Sequence, residues 1–327
     1  MLQSRMSPSV IVLGGINCDI SAAVDGPLQR ETSNPGRVSL SPGGVGRNIA
    51  HLLGQLAVPV SLVGVVGQDS LSDWVLQRTA AAGVRVDSVI RSPGYGVGVY
   101  VSLLAAGELD TAVSDMAAGE SLDPEQAVAA LERCADGGAA DRGFRSGAEA
   151  SRGLPRRILV IDLNVSPPVA QAALDWAELR GYAVVVEPVS TAKARRLAGL
   201  RGRVAVLTPN LAEARVVSEL AKTADLPEID TWIVTRGDQG VGLWRRGDPA
   251  TRLIHGRRVR TVNANGAGDA LVAGLVAGLH GGESVEWSVM QGIAAGAIVA
   301  GSAASVAAAI SREDLINWLH EGVNDNG

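Results

Sequence analysis

An α/β fold is what this 327-residue sequence predicts: a mostly parallel central sheet with helices on both faces, plus a small β lid. Three observations predict it. From residue 158 onward, continuous Val/Ile-rich runs alternate with helix-spaced segments, the pattern of strands buried on both faces. Polar residues such as Asn17, Asp162, Glu187 and Asn210 recur where the runs end, and ligands bind at the carboxyl ends of strands in open α/β sheets. The runs at 97–115, with parts of 16–41, do not fit that rhythm and suit a separate β appendage.

In chain order, the apolar run 10–13 ends in Gly14-Gly15 and reads as a buried strand followed by a turn. Residues 16–41 are mixed and polar, with Pro27, Pro35 and Pro42 as breaks. Residues 47–57 have helical spacing, 60–66 read as a strand, and 70–82 as a helix capped by Ser70 or Ser72. A strand at 97–105, a turn at 106–109 and a returning strand at 111–115 form a hairpin. Asp123-Pro124 opens a helix that runs to about Arg133. Residues 136–153 are rich in Gly, Ala and Arg without an apolar period, and read as a flexible surface insertion. Strands then follow at 157–162, 183–188, 204–210 and 231–237, separated by helices at 168–180, 191–198 and 211–221. Residues 1–327 are thus expected to form one domain, with a lid from about 16–41 and 95–115.

Composition narrows the function classes. A net charge of −5 and a pI near 5.5 favour neither nucleic acid nor an anionic membrane as partner. The pairs Arg195-Arg196 and Arg257-Arg258 read as solvated surface. Cys18 and Cys134 make no disulfide framework, so a reducing, cytoplasmic setting is expected. The four scattered histidines carry no zinc motif. Residues 1–9 lack the apolar stretch of a signal peptide. Residues 290–310 are uncharged and long enough to span a bilayer. They are mostly Ala, Gly and Ser, broken at Gly301-Ser302, and read instead as two tightly packed core helices.

The strongest local signal is Asn263-Ala264-Asn265-Gly266-Ala267-Gly268-Asp269, followed by an apolar helix. Small residues at a helix start let an anion reach the unpaired N–H groups there. Such groups suit the charge spread over a phosphoryl group in flight, and an Asp in the same turn can take a hydroxyl proton. The alternative is that Asp269 only caps its helix and the small residues only pack. Asn17 and Asp19 are two apart, so an extended strand presents both on one face, where they suit the vicinal hydroxyls of a ribose. The alternative for that pair is a satisfied turn. Neither a GxxxxGK[ST] loop nor a strand–GxGxxG–helix fingerprint is present.

The 263–269 loop resembles the second signature of the ribokinase-like (PfkB) family, D-T-x-G-A-G-D, in which the last Asp is the base and the GAG amides form an anion hole. That resemblance implies Asp269 as catalytic base, with Gly266, Ala267 and Gly268 stabilising the transferring group. Gly43-Gly44-Val45-Gly46-Arg47-Asn48 is similar to the family's first signature, GG-x-x-x-N, near a sugar. Gly14-Gly15-Ile16-Asn17-Cys18-Asp19 resembles its G-x-x-N-x-D strand end, and Thr208-Pro209-Asn210-Leu211-Ala212-Glu213 its N-P-N-x-x-E segment. Val234-Thr235-Arg236-Gly237, with Gly240, resembles its nucleotide-binding T-x-G segment. The matches run in the family's order over about residues 10–310.

The resemblance implies ATP and Mg²⁺ as cofactors. Asn210 and Glu213 would serve the metal through water, and Thr235, Gly237, Gly240 and Asn265 would serve ATP. Asn17, Asp19, Gly43, Gly44 and Asn48 would hold ribose. Arg47, Asp115 and Asn164 are further candidates for substrate contact. Asn263 and Ala264 stand where the family has Asp-Thr, which leaves a monovalent-cation site open; Thr208 replaces the first Asn of N-P-N. Residues 41–50, Val113-Ser114-Asp115-Met116, Asp162-Leu163-Asn164 and Glu187-Pro188-Val189-Ser190 look like the pseudouridine-kinase branch. The implied reaction is ATP-dependent phosphorylation of a nucleoside 5′-hydroxyl, with pseudouridine as the expected acceptor and a homodimer formed through the lid. Another sugar or nucleoside kinase of this fold and a catalytically silent nucleoside-binding protein stand as alternatives.

Overall fold

The computed structural model describes residues 10–136, 156–257, 259–262, 265–302 and 309–324. Residues 137–153 of the expected insertion, and Asn263 and Ala264, lie outside them. The strands are β1 (Val10–Leu13), β2 (Asn17–Val24), β3 (Gly36–Gly43), β4 (Val60–Val63), β5 (Val65–Val66), β6 (Ile90–Arg91), β7 (Gly98–Ala105), β8 (Glu108–Asp115), β9 (Ile158–Asp162), β10 (Ala183–Glu187), β11 (Arg203–Leu207), β12 (Glu228–Thr235), β13 (Val241–Arg245) and β14 (Arg252–Ile254). The helices are α1 (Val45–Gln55), α2 (Ser70–Ala80), α3 (Ala117–Glu120), α4 (Pro124–Asp136), α5 (Pro167–Arg180), α6 (Thr191–Ala194), α7 (Leu211–Leu220), α8 (Ala267–Gly281), α9 (Val285–Ala300) and α10 (Arg312–Asn324).

Eight strands form the central sheet in the order β14-β13-β12-β11-β10-β9-β1-β4. From β12 to β4 every neighbouring pair is parallel. Successive strand side chains point to opposite faces, and both faces are dry. Val10 and Val12 of β1 pack with Ile49 and Leu52 of α1 and with Val272 and Val276 of α8. Ile11 and Leu13 pack with Leu131 of α4 and Val169 and Ala173 of α5 on the other face. The mostly parallel, doubly covered sheet therefore follows from continuous runs of branched apolar residues. The antiparallel strands β13 and β14 at one end of the sheet were not expected.

The small-residue content of the last third permits close helix packing. A Cβ on Gly274 of α8 would lie 2.6 Å from the Gln291 carbonyl oxygen of α9, so these two helices approach nearly backbone to backbone. No helix among the described residues is long and apolar enough to cross a membrane.

The lid is a separate four-stranded sheet, ordered β3-β2-β7-β8. Ala106 and Gly107 both have positive φ (52° and 86°), as a two-residue hairpin turn of right-handed strands requires. The return strand accordingly begins at Glu108, earlier than the sequence suggests. Two other boundaries differ. The run 60–66 divides at Gly64, with β4 in the central sheet and β5 pairing β6 outside it. Helix α2 is capped by Asp69, not Ser70 or Ser72: Ser72 donates its N–H to Asp69 Oδ1 at 2.8 Å and its hydroxyl to Oδ2 at 2.9 Å.

Candidate active site

Two clefts lie by the carboxyl ends of the parallel strands, with no lining residue in common. The first, of about 260 Å³, is bounded by Asn17 and Asp19 of β2, Gly44 and Asn48 at the start of α1, Tyr100 of β7, and Asn164 after β9. Asn17 donates Nδ2–H to Asp19 Oδ1 at 2.5 Å. Burial raises the Asp19 carboxyl above its ordinary value, while that hydrogen bond and the Arg47 charge pull it back. A Cβ on Gly43 would run into the Asp19 carboxylate, so glycine is required there for Asp19 to keep this position.

Asp162, fully buried at the end of β9, assembles this cleft. Its Oδ2 accepts N–H bonds from Gly15 (2.8 Å) and Gly46 (2.5 Å), and its Oδ1 accepts from Asn164 (2.8 Å). One carboxylate thus ties the turn after β1, the first turn of α1 and the turn after β9. Burial pushes its pKa up, opposed by these bonds.

Asp269 stands in the first turn of α8, behind Gly266, whose φ of 81° is left-handed. The first helical bond runs from the Ala270 N–H to the Gly266 carbonyl (2.9 Å), so the N–H groups of Ala267, Gly268 and Asp269 have no intrahelical acceptor. A Cβ built on Gly268 meets nothing within 4 Å, leaving the approach to those groups open. Asn48 donates Nδ2–H to Asp269 Oδ2 at 2.8 Å. Burial pushes the Asp269 carboxyl up to about 7; the Asn48 bond lowers it, and the charges of Asp162 and Asp19 raise it further. A group titrating near neutrality can serve as a general base.

The second cleft, also of about 260 Å³, lies between the β12–β13 turn, the start of α8 and the end of α9. Thr235, Gly237, Gly240, Ala267 and Gly268 border it, with Val241, Leu271 and Ile293 as apolar wall. The pairing of an apolar wall with free N–H groups at one end fits a nucleotide: base on the wall, phosphates at the helix start. Asn210 and Glu213 form a reciprocal cap on α7. Asn210 Oδ1 accepts from Ala212 and Glu213 N–H (2.9 Å each), and Glu213 Oε2 accepts from Asn210 N–H (2.9 Å).

Next to this cap, Glu187 ends β10 and accepts the Thr208 hydroxyl at 2.5 Å. Burial pushes its carboxyl up to about 8; its hydrogen bonds oppose this, and the charges of Glu213 and Asp269 add to it. No ion pair among the described residues involves Glu187, Glu213 or Asp269. Glu187 thus feels the charge of both Glu213 and Asp269 with no ion-pair partner, a surplus of carboxyl groups that a divalent cation would relieve. Among the described residues no three metal-binding side chains converge into a cage, so a Mg²⁺ ion here would rely on water and phosphate oxygens as well.

Asn17, Asp19, Gly44, Asn48 and Asn164 therefore share one cleft; Thr235, Gly237, Gly240, Ala267 and Gly268 share the other. Gly43, Arg47, Asp115, Asn210, Glu213, Asn265, Gly266 and Asp269 are in neither lining. Arg47 is 3% exposed and its guanidinium turns into the core, while Asp115 is exposed and accepts the Ala117 N–H at 3.1 Å. Asn265 is exposed beside the loop and is not part of the second lining. Sequence reasoning missed Tyr100, Met116, Glu120, Val189 and Lys193 in the first cleft, and Arg257 and Thr261 in the second. Val189 carries a φ of 69°, rare for a β-branched residue, inside a tight turn in which Ser190 N–H donates to the Pro188 carbonyl at 2.7 Å.

A family model described as pfkB family carbohydrate kinase matches residues 7–311. The pseudouridine kinase of Escherichia coli strain K12 is 29% identical over 299 residues, covering 87% of this chain and 89% of that protein. A solved carbohydrate kinase from Agrobacterium tumefaciens is 25% identical, with a TM-score of 0.75 and coverage of 95% of this chain and 96% of that one. The ribokinase of Arabidopsis thaliana, solved with ribose and ATP, shares the fold at 18% identity, a TM-score of 0.74 and coverage of 96% and 99%.

Proposed function

The chain belongs to the pfkB family of carbohydrate kinases and is an ATP-dependent sugar or nucleoside kinase; from that premise we propose that it phosphorylates the 5′-hydroxyl of pseudouridine, with Asp269 as base. The observation that carries this reading is the Asn48–Asp269 hydrogen bond of 2.8 Å, which ties a residue of the first cleft to the neighbour of Gly268, a residue of the second. A base at that junction has an acceptor hydroxyl on one side and transferable phosphate on the other. Similarity to the pseudouridine kinase of Escherichia coli over most of both chains supports the choice of acceptor.

In the proposed reaction Asn17, Asp19 and the glycines around Gly44 hold the ribose, which turns its 5′-hydroxyl toward Asp269. Asp269 takes the hydroxyl proton as that oxygen bonds to the γ-phosphorus and the bond to the ADP oxygen breaks. The N–H groups of the Gly266–Gly268 turn and of Asp269 stabilise charge on the transferring group. Mg²⁺, when bound, supplies neutralisation of phosphate charge, and Asn210 and Glu213 would hold it through water. Asn164 and Lys193, which also line the first cleft, supply polar contacts for the nucleobase. Closure of the lid over the ribose would exclude water.

The outer lid face exposes Val38 (66%) and Val113 (67%) as well as Leu40 and Val101, which supports a homodimer formed lid to lid. Val113→Asp should then turn a dimer into a monomer in sedimentation; an unchanged dimer would point to another surface. Two buried, unpaired cysteines support a reducing, cytoplasmic setting. The base assignment is tested by Asp269→Asn, whose kcat should fall about 10²–10⁴-fold. Turnover close to wild type would remove Asp269 from the chemistry.

A further inference from the structure

Arg47 takes a charge into the core next to the site without reaching either cleft. Its Nε donates to Thr79 Oγ1 at 3.0 Å. One Nη donates to the Pro42 carbonyl and to Asn48 Oδ1, both at 3.2 Å, and the other meets His51 Nδ1 at 2.9 Å. Four acceptors on three elements hold the guanidinium in one orientation. A guanidinium has donors only, whereas an amide has one donor end and one acceptor end. The Asn48 amide lies between Arg47 and Asp269, so its polarity is decided by what it faces. With Oδ1 toward Arg47, Nδ2 is toward Asp269 at 2.8 Å. The reversed amide would set N–H against guanidinium N–H, and a carbonyl oxygen against the carboxylate.

We propose that Arg47 is a positioning residue for phosphoryl transfer: by donating to Asn48 Oδ1 it fixes the amide so that Nδ2–H, and not the carbonyl oxygen, faces Asp269. The proposal rests on the reading of Asp269 as the base. It also accounts for an arginine that the sequence suggests as a substrate contact and that the fold turns away from substrate. His51 does not switch the arrangement near neutral pH. Burial and the Arg47 charge hold its pKa down at about 4, so the ring is neutral and Nδ1 is free to accept. Burial lowers Arg47 only to about 10, so it remains charged. The ionisable groups that bear on Asp269 are Asp162 from β9 and Asp19 from β2, both raising it, and it is coupled to Glu187 from β10. From α1 it meets Asn48, with Arg47 and His51 behind.

The experiment is the pH profile of kcat for Arg47→Met, alone and combined with Asn48→Ala. Loss of the fixed donor should lower kcat about tenfold and move the acidic limb upward by about one unit, since a carboxylate that loses a donor holds its proton more tightly. Combined with Asn48→Ala, Arg47→Met should add nothing further. An unmoved limb in Arg47→Met, or losses that simply add in the double variant, would overturn the proposal. If Arg47→Met does not fold, Thr79→Val removes one anchor of the guanidinium and should move the same limb by less; no movement overturns the proposal as well. Failure of the premise reads differently. Asp269→Asn would then retain turnover, whereas an inactive Asp269→Asn beside an unmoved limb in the Arg47 variant discards the positioning role alone.

Discussion

Replacing Asp162 by Asn tests how the acceptor cleft is held together. The carboxylate is fully buried and accepts three backbone N–H groups, two on Oδ2 and one on Oδ1. An amide of the same shape has one acceptor oxygen. In its best orientation it keeps the bonds from Gly15 and Gly46 and turns its NH₂ toward the Asn164 N–H. The Asn164 N–H and the new NH₂ are then both left without acceptors, at about 1–3 kcal/mol for each group, and the two retained bonds lose their charge assistance. Relief from burying a charge offsets part of this, for a net loss of about 2–3 kcal/mol. Urea denaturation at unchanged m-value should report that loss as a lower midpoint. Because Gly15, Gly44 and Asn164 border the acceptor cleft, KM for the nucleoside should rise several-fold, while KM for ATP stays near wild type. The acidic limb of kcat should also move to lower pH, since one of the charges that raise the Asp269 pKa is gone. A variant with wild-type midpoint, nucleoside KM and pH limb would refute the idea that this carboxylate organises the site.

Two other perturbations separate stability from chemistry. Gly268→Ala should fold normally, because its Cβ meets no protein atom within 4 Å and alanine favours the helix. Its kcat/KM for ATP should nevertheless fall at least about tenfold, as the methyl group obstructs the N–H groups of the turn; unchanged ATP kinetics would mean that phosphate does not approach there. Glu187→Gln should stabilise the ligand-free protein at alkaline pH. The folded pKa of about 8 lies above the ordinary 4.5, so the stability contributed by its bound proton is complete below about 4.5 and is lost as pH rises through about 8. Relative to wild type, the variant should gain on the order of 2–4 kcal/mol at pH 9 over its difference at pH 4.5, read by denaturation without metal or nucleotide. A difference independent of pH would show that Glu187 ionises normally.

The central sheet was legible because its strands need only one property, continuous branched apolar residues, and runs such as 158–162 and 183–187 show it directly. β13 and β14 were not, since Trp244, Arg245 and Arg252 make them short, mixed strands with no clear period. The site was legible where a motif dictates backbone: Gly266 to Asp269 behaves as a helix start whatever packs around it. It was less legible where direction decides. Arg47 follows Gly46 in a motif next to a cleft, yet α1 turns its side chain toward Thr79 and His51. Ser70 and Ser72 were plausible caps, but Asp69 offers two acceptor oxygens and also takes the Val97 N–H at 2.9 Å. Tyr100 and Met116 reach the cleft only because the lid folds over it, and Lys193 only because the turn at Val189 presents the next helix; neither event has a local signature.

The choice of acceptor is tested most directly by ADP release with Mg-ATP against pseudouridine, uridine, adenosine, inosine, ribose and fructose, with mass detection of the phosphorylated product. Strong turnover of pseudouridine, with its 5′-phosphate as product and little turnover of the others, is the expected result. Preferred turnover of a different sugar or nucleoside would keep the kinase and contradict pseudouridine as its acceptor.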